Sequence, residues 1–333
     1  MKRRNVSKNL LIIFAALIVL VFILQIKKIP ETIIYGVSFS KFHSDELGLN
    51  FREVYQAILY DLGVRRLRLS AHWPMVEPRE GAYNFEELDF QMKEARDAGA
   101  SVILALGRRL PGWPECHEPD WTQTLEKSEK QKALLSLIKV IVARYKEYPN
   151  LFYWQVENEP FLTIFAKEHC GVLDREFLKE EIALVRALDP AHKILVTDSG
   201  ELGTWFSAKN AGDVFGTSLY LYVWSPESGR IHYPITPAFF RTKDNITNLI
   251  AKKTESLLIE LSLEPWLLTP IKDAPMETIL DRMSIEKFDH IISFAKKAAF
   301  EEQYLWGVEW WYWMKGKGHP EYWEKAEQIF SPR

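Results

Sequence analysis

Short apolar runs alternate with longer amphipathic stretches along almost the whole chain after residue 30. Runs such as Ser101–Leu106 (SVILAL) and Leu151–Val156 (LFYWQV) are apolar nearly throughout, which is typical of strands buried on both faces. The stretches between them repeat apolar residues at a spacing of three or four, which indicates helices packed on one side. The pattern therefore predicts strands and helices in alternation.

Eight of the apolar runs are predicted as strands, beginning near residues 33, 64, 101, 151, 193, 214, 256 and 304. Helices are predicted between most of them, although only Phe206–Asp213 separates the fifth strand from the sixth. Parallel strands need helical crossovers, so eight such units predict a closed (β/α)8 TIM barrel. An open doubly wound sheet is the alternative. Three predicted strands extend into aromatic residues: Val64–Trp73, Val214–Trp224 and Tyr304–Trp313.

The first 30 residues carry a different pattern. Leu10–Leu24 is an unbroken apolar run between two basic clusters, Lys2 to Lys8 and Lys27-Lys28. The run is shorter than the roughly 20 residues of a full span, but flanking lysines extend it by snorkelling. No small-x-small cleavage site follows, so an uncleaved signal-anchor is favoured over a cleaved signal peptide and a secreted protein.

The N-terminal position of most of this basic charge predicts a cytoplasmic N-terminus and an extracytoplasmic body. The chain is thereby divided into a tail and transmembrane anchor, residues 1–30, and one barrel domain, residues 31–333. A membrane is thus one expected partner, contacted through Leu10–Leu24.

Composition narrows the function classes. The formal net charge is −3 with both signs interspersed, so the chain lacks the basic patch of a nucleic-acid-binding protein. Aromatic residues make up 13% of the chain, with 12 Trp, and either fill the core or bind sugar faces in a cleft. Cys116 and Cys170 are the two cysteines; pairing and free thiols both stay open. No pattern predicts an oligomeric state.

Candidate chemistry lies where the fourth predicted strand becomes polar. Leu151–Val156 is followed by Glu157-Asn158-Glu159-Pro160, and active sites of parallel barrels form at the carboxyl ends of strands. The seventh strand, which lies across the barrel mouth from the fourth, carries Glu260 near its end. Two carboxyl groups facing each other suit glycoside cleavage, in which one is protonated and the other is an ionised nucleophile.

These residues bring a family resemblance. Asn158-Glu159-Pro160 together with Glu260 resembles the clan of retaining (β/α)8-barrel glycoside hydrolases, clan GH-A, which includes cellulases, mannanases, xylanases and β-galactosidases. Arg68 on strand two and Tyr220 near the end of strand six agree with it, as does a tryptophan cluster on strand eight. The resemblance extends from about Ile33 to Trp313 and resolves no family within the clan.

The resemblance implies a role for each of five residues. Glu159 would be the general acid/base and Glu260 the nucleophile. Asn158 would bond the sugar 2-hydroxyl, Arg68 would hold Glu260 ionised, and Tyr220 would donate a hydrogen bond to Glu260. A carbohydrate substrate is implied, and neither a metal nor an organic cofactor is.

Five further residues have weaker assignments. His72 and Trp73 either contact substrate or pack the barrel mouth. Trp313 is favoured among the tryptophans as the sugar platform. Glu264 competes with Glu260 for the nucleophile role and is otherwise a sugar contact. Glu157 precedes Glu159 by two residues and is expected to point away from the cleft and to pair with an arginine.

The leading interpretation is a membrane-anchored retaining β-glycosidase that acts on a β-linked oligo- or polysaccharide by double displacement. The competing interpretation is a non-catalytic glycan-binding or scaffold protein on the same barrel, because a fold does not fix a function. A transglycosylase would use the same covalent intermediate. The sequence does not predict the sugar, its linkage, or endo as opposed to exo action.

Overall fold

The computed structural model of the chain describes residues 28–331, apart from 113–114, 165–169, 172–173, 226–227 and 268. The predicted anchor, Leu10–Leu24, lies outside the described residues. In the part of the chain that is described, no helix is both long and apolar enough to span a bilayer.

Eight parallel strands close into a barrel whose strand order follows the chain, with the last strand pairing back onto the first through Ile34 and Glu302. This confirms the predicted TIM barrel and excludes the open sheet. The barrel strands are β1 (Ile34–Ser38), β2 (Arg66–Ser70), β3 (Ser101–Leu106), β4 (Leu151–Val156), β5 (Lys193–Asp198), β6 (Val214–Leu219), β9 (Glu255–Ser262) and β10 (Glu302–Trp306). An antiparallel hairpin of β7 (Tyr222–Ser225) and β8 (Gly229–His232) follows the sixth barrel strand.

Helices surround the barrel and cover its outer face. Those described are α1 (Lys41–Glu46), α2 (Phe51–Tyr60), α3 (Trp73–Val76), α4 (Glu86–Asp97), α5 (Lys127–Tyr145), α6 (Arg175–Leu188), α7 (Phe206–Ala211), α8 (Pro237–Ile250), α9 (Met276–Arg282), α10 (Ile285–Ala298), α11 (Val308–Gly316) and α12 (Glu321–Phe330). Two short 3₁₀ turns, Asp120–Thr122 and Ile271–Asp273, lie in loops.

The core has two parts because strand side chains point alternately inward and outward. One cluster fills the barrel with Ile103, Tyr153, Leu195, Val214, Leu257, Ile259 and Tyr304. The other, much larger cluster packs the outer faces of the strands against the helices. This filled interior leaves the carboxyl ends of the strands as the place for a site.

Three predicted strands end earlier than expected. β2 ends at Ser70, β6 at Leu219 and β10 at Trp306. The correction is largest after β10, where Gly307 takes a φ of +112° and starts helix α11. A Cβ at Gly307 would lie 2.8 Å from the Cβ of Glu264, so the turn depends on glycine there.

The tryptophans at 310, 311 and 313 therefore lie on a helix, and the prediction that they belong to the eighth strand is wrong. Helix α11 is buried on most of its surface, and its sequence is apolar on every side. A buried helix and a buried strand look alike in such an aromatic run, because neither leaves a polar period.

The long loops after β3 and β4 are joined by a disulfide between Cys116 and Cys170. The sequence left pairing and free thiols equally open. The bond spans 54 residues and connects two loops whose preceding strands are neighbours in the barrel. The bond therefore restrains both the loop after β3 and the loop after β4, which contains Glu159.

Candidate active site

The chain turns sharply after β4, and the turn places Glu159 at the barrel mouth. Glu157 and Glu159 both have positive φ, +58° and +43°. Residues other than glycine adopt this backbone conformation at a cost of about 1–3 kcal/mol. Contacts from both sides hold this conformation. The Glu159 N–H donates to Oγ1 of Thr197 (2.7 Å) at the end of β5, and its carbonyl accepts from Nη1 of Arg109 (2.7 Å).

Glu260, on the inner side of β9, is bound by a cation and a phenol. Nη1 of Arg68 lies 2.6 Å from its Oε1, and the Tyr220 hydroxyl donates to its Oε2 at 2.9 Å. All three side chains are buried, apart from a partial exposure of Tyr220. The guanidinium and the phenol donate to different oxygens of Glu260, so these two hydrogen bonds fix the orientation of its carboxyl group.

Arg68 joins the two carboxyl-bearing strands into one network. Its Nε donates to Oε1 of Gln155 (2.8 Å) and its Nη2 to Oδ1 of Asn158 (2.7 Å). Asn158 thus has its oxygen occupied, and its amide nitrogen is the atom it has left to offer a ligand. The guanidinium is 1% exposed, so its charge acts on Glu260 with little screening by water.

Glu159 and Glu260 line the same cavity, which has a volume of about 340 Å³. Burial, and then the negative charges of Glu260 and Glu115, raise the pKa of Glu159 well above its ordinary value. Among the described residues, Oε1 of Glu159 has no hydrogen-bond partner. The two carboxyl groups of this cavity therefore have different surroundings: burial and negative charge favour the protonated form of Glu159, whereas a guanidinium and a phenol bind Glu260.

Glu264 lines the same cavity and is bound by His43 and Trp306, two contacts that were not predicted from the sequence. Its Oε1 accepts from Nε1 of Trp306 (2.5 Å), and its Oε2 lies 3.0 Å from Nε2 of His43. Burial opposes a charge on His43, but the charge and hydrogen bond of Glu264 and that of Glu46 outweigh it and raise the pKa of His43 well above its ordinary value. Both carboxyl oxygens of Glu264 therefore have partners, and the side chain forms part of the cavity wall.

Comparisons with known proteins agree with this geometry. The family model described as β-galactosidase matches residues 56–196, from α2 to β5. β-Galactosidase LacZ of Lactobacillus acidophilus is 26% identical over 136 residues, or 36% of this chain and 20% of that protein. Endo-1,4-β-xylanase 3 of Hypocrea jecorina is also 26% identical, over 53% of this chain and 49% of the xylanase.

These sequence matches support the assignment of the chain to clan GH-A of the glycoside hydrolases. A galactosidase and a xylanase match at the same identity, 26%, so the assignment stops at the clan. The chain spans about a fifth of the length of the lactobacillus β-galactosidases it matches.

Solved structures support the clan fold. A GH5_18 protein from Bifidobacterium longum has a TM-score of 0.60 at 12% identity, covering 83% of this chain and 70% of that one. A cold-adapted β-galactosidase from Rahnella has a TM-score of 0.58 at 13% identity, covering 92% and 56%. At such low identity the likeness shows the fold alone.

The structure brings five of the residues predicted from the clan resemblance into contact range of one another. Glu159, Glu260, Asn158 and Tyr220 line the cavity, and Arg68 supports them from beneath. Glu264 also lines it, as the wall residue described above. Its separate partners distinguish it from Glu260, which alone of the two is bound by Arg68 and Tyr220.

Of the two alternatives for His72 and Trp73, their burial supports packing over substrate contact, and the predicted sugar platform, Trp313, lies away from the cavity. Trp73 is fully buried and its indole donates to Glu77 at 2.8 Å. His72 is buried against His117, with ring centroids 4.5 Å apart, and stands behind Phe42 instead of lining the cavity. Trp313 lies on α11, and the member of its predicted tryptophan cluster that lines the cavity is Trp306 at the end of β10. The cause is the strand end at Gly307.

Glu157 points away from the cavity that Glu159 and Glu260 line, as predicted, although strand parity is not the reason: the chain leaves β4 at Val156 and turns at Glu157. The predicted pairing with an arginine side chain is replaced by main-chain contacts. The two carboxylate oxygens of Glu157 accept from the main-chain N–H groups of Arg108 (2.7 Å) and Arg109 (2.6 Å) instead of a guanidinium. The side chain of Glu181 in α6 lies beside it.

The sequence missed His43 and Trp306 as a connected pair of wall residues. His43 follows the first strand by a few residues, a position that the barrel rule marks as part of the mouth. Its partner Glu264 is 221 residues away in the chain, so only the folded barrel reveals the contact. Among the described residues, no group of three or more His, Cys, Asp or Glu side chains is arranged to hold a metal ion.

Proposed function

We propose that this chain is a retaining β-glycosidase with Glu159 as the acid/base and Glu260 as the nucleophile. The observation that carries the proposal is the unequal treatment of the two carboxyl groups in one cavity. Glu260 is bound by Arg68 and Tyr220, whereas burial and negative neighbours raise the pKa of Glu159. A buried carboxyl group with a raised pKa suits the acid role, and a carboxyl group oriented by a cation and a phenol suits the nucleophile role.

The reaction follows from this assignment in two steps. Glu260 attacks the anomeric carbon while Glu159 gives its proton to the leaving oxygen, and a covalent glycosyl–enzyme forms. Glu159, now ionised, then takes a proton from water as that water attacks the anomeric carbon and releases Glu260. The configuration at the anomeric carbon is retained because it is inverted twice.

The proposed substrate is a β-linked neutral sugar. The cavity wall carries further carboxyl groups, Glu46, Glu115 and Glu264, close to the catalytic pair. An anionic sugar would be repelled there. Trp266 and Trp306 also line the cavity and provide aromatic faces for sugar C–H groups. The galactosidase, xylanase and mannosidase names of the relatives make galactosides, xylosides and mannosides the first substrates to try.

The test is turnover of an aryl β-glycoside panel by wild type and by the Glu159→Gln and Glu260→Gln variants, with Glu264→Gln as a matched carboxyl control. Glu260→Gln should abolish turnover, and NMR of the wild-type product should show retained configuration. A 2-deoxy-2-fluoro glycoside should label Glu260, as read by peptide mass spectrometry. Unchanged turnover in both catalytic variants would refute the assignment, and glycan binding without turnover would favour the non-catalytic interpretation.

We further propose that the enzyme is anchored in a membrane by its N-terminal segment. The support is the apolar run Leu10–Leu24 with its flanking basic residues. The full chain should sediment with membranes and resist a carbonate wash, while a variant lacking residues 1–27 should be soluble. An N-terminus trimmed near residue 28, as read by mass spectrometry, would instead show a cleaved signal peptide.

A further inference from the structure

A buried carboxylate outside the catalytic cavity controls the loop that carries Arg109. Glu157 is 7% exposed, and both of its oxygens accept main-chain N–H bonds, from Arg108 at 2.7 Å and from Arg109 at 2.6 Å. The loop passes very close, because a Cβ at Gly107 would lie 2.5 Å from Oε1 of Glu157. The position of the Arg109 main chain is therefore fixed by the Glu157 side chain.

Arg109 in turn binds the main chain on both sides of the acid/base. Its Nη1 donates to the carbonyls of Glu159 (2.7 Å) and Leu162 (2.6 Å). Its own carbonyl accepts from the Asn158 N–H at 2.7 Å. Glu115 pairs with the same guanidinium through Nε, at 2.6 Å. Arg109 thus holds the segment in which Glu159 adopts its positive φ.

Glu181 completes the arrangement from helix α6. Its carboxyl group hydrogen-bonds to Glu157, and burial, followed by the charge of Glu157, raises its pKa well above the ordinary value. Burial raises the pKa of Glu157 as well, but its oxygens already accept main-chain N–H groups, so the protonated form of Glu181 can donate to Glu157 and does not repel it. The main-chain donors of Arg108 and Arg109 keep Glu157 as the acceptor of this pair.

We propose that Glu157 and Arg109 are positioning residues that hold Glu159 where it can protonate the leaving oxygen. The inference rests on the proposed function. A general acid works only within hydrogen-bond reach of its target, and small displacements of a positioned group lower rates strongly. Without the bonds to its carbonyl, the positive-φ backbone at Glu159 is free to relax.

The test uses two glycosides of the same sugar that differ in the leaving group. The 2,4-dinitrophenolate group leaves without receiving a proton. The methoxy group of a methyl glycoside leaves only when the general acid protonates its oxygen. In Glu157→Gln, the new amide group faces a main-chain N–H, so the loop shifts. We expect kcat/KM for the methyl glycoside to fall roughly tenfold or more, as part of the general-acid contribution, with the value for the dinitrophenyl glycoside much less affected.

The ratio of the two rates does not depend on the fraction of folded enzyme, so a loss of stability alone leaves it unchanged. Arg109→Lys should change the ratio in the same direction, and it tests the proposal independently if Glu157→Gln does not fold. The matched control is Glu118→Gln, which removes a partner of Arg108 in the same loop without touching Arg109. Its ratio should equal that of wild type.

Equal losses on both substrates in Glu157→Gln and Arg109→Lys would overturn the positioning role. That outcome is distinct from a failure of the proposed function, which would appear as a wild-type enzyme without turnover or as a Glu159→Gln variant with no preference for the better leaving group.

Discussion

At the scale of single residues, Glu159 and Glu260 have the same functional group and opposite surroundings. Glu260 has a guanidinium and a phenol within hydrogen-bond distance. Glu159 is buried beside negative charge, and among the described residues one of its oxygens has no partner. The difference comes from which side chains the neighbouring strands bring to each oxygen, so it is open to pH and mutational tests.

The raised pKa of Glu159 predicts the alkaline limb of the pH profile. Below this pKa the acid carries its proton and can give it to the leaving oxygen; as pH rises through it, kcat/KM for a poor leaving group falls. The measurement is a pH profile of kcat/KM with a methyl and a dinitrophenyl glycoside. Glu159→Gln should lose the limb that the methyl glycoside shows, and an identical limb in that variant would assign it to another group.

Removing the Tyr220 hydroxyl should take one hydrogen bond from the proposed nucleophile, Glu260, without displacing the Glu260 side chain. The hydroxyl donates to Oε2 of Glu260 at 2.9 Å, and the ring packs edge-on against Trp266. A hydrogen bond to a charged group is worth about 1.5–3 kcal/mol, so kcat in Tyr220→Phe should fall roughly tenfold to a hundredfold. Tyr233→Phe, which alters another cavity-lining phenol, is the matched control, and an equal loss there would deny Tyr220 its special role.

At the scale of elements, the sequence predicted all eight strand starts closely but misplaced some strand ends. The starts are marked by a change from polar to apolar residues, as at Ser101 and Leu151. The ends of β6 and β10 lie inside aromatic runs, where the apolar pattern continues past the end of the strand. Gly307 was the signal available, because a glycine inside an apparent strand often marks a turn or a close backbone approach.

Whether a residue lies at a strand end or outside the strands explains which site residues could be predicted. Asn158, Glu159 and Glu260 lie at strand ends, where their positions follow from the barrel itself. His43 lies in the short helix α1 and Arg109 in a loop, and their partners are far away in the chain. Periodicity carries no information about such contacts. The contact of His43 with Glu264 and the contact of Arg109 with the Glu159 main chain could therefore be found only in the structure.

The correction at the end of β10 gives a test with two tryptophans. Trp306 lines the cavity and donates to Glu264, whereas Trp313 lies on α11 beneath Lys317. Trp306→Phe removes the indole N–H from a charged acceptor and frees Glu264, so KM should rise severalfold, up to about tenfold. Trp313→Phe should leave KM unchanged in steady-state assays. A larger effect at Trp313 would restore the original prediction.

At the scale of the whole molecule, the closure of the barrel depends on contacts between its last and first units. β10 pairs with β1, and Glu309 in the first turn of α11 accepts the N–H of Ser40 at 2.5 Å, just after β1. Glu309 is 2% exposed, and burial raises its pKa to about 7 in spite of the opposing charge of His43. This seam therefore contains a carboxyl group that is neutral over much of the acidic range.

A raised pKa at the seam predicts that stability falls as pH rises. Below about pH 4.5, the ordinary value, folded and unfolded chains both hold the proton. Between that value and about 7 the unfolded chain releases it and the folded chain keeps it, so up to about 3 kcal/mol is lost by the time pH has passed the folded value. Urea unfolding between pH 4.5 and 8 measures the slope. Glu309→Gln keeps an acceptor for Ser40 and should flatten the slope relative to wild type, while exposed Glu324→Gln should not. Parallel slopes in wild type and Glu309→Gln would place the pH dependence elsewhere in the molecule.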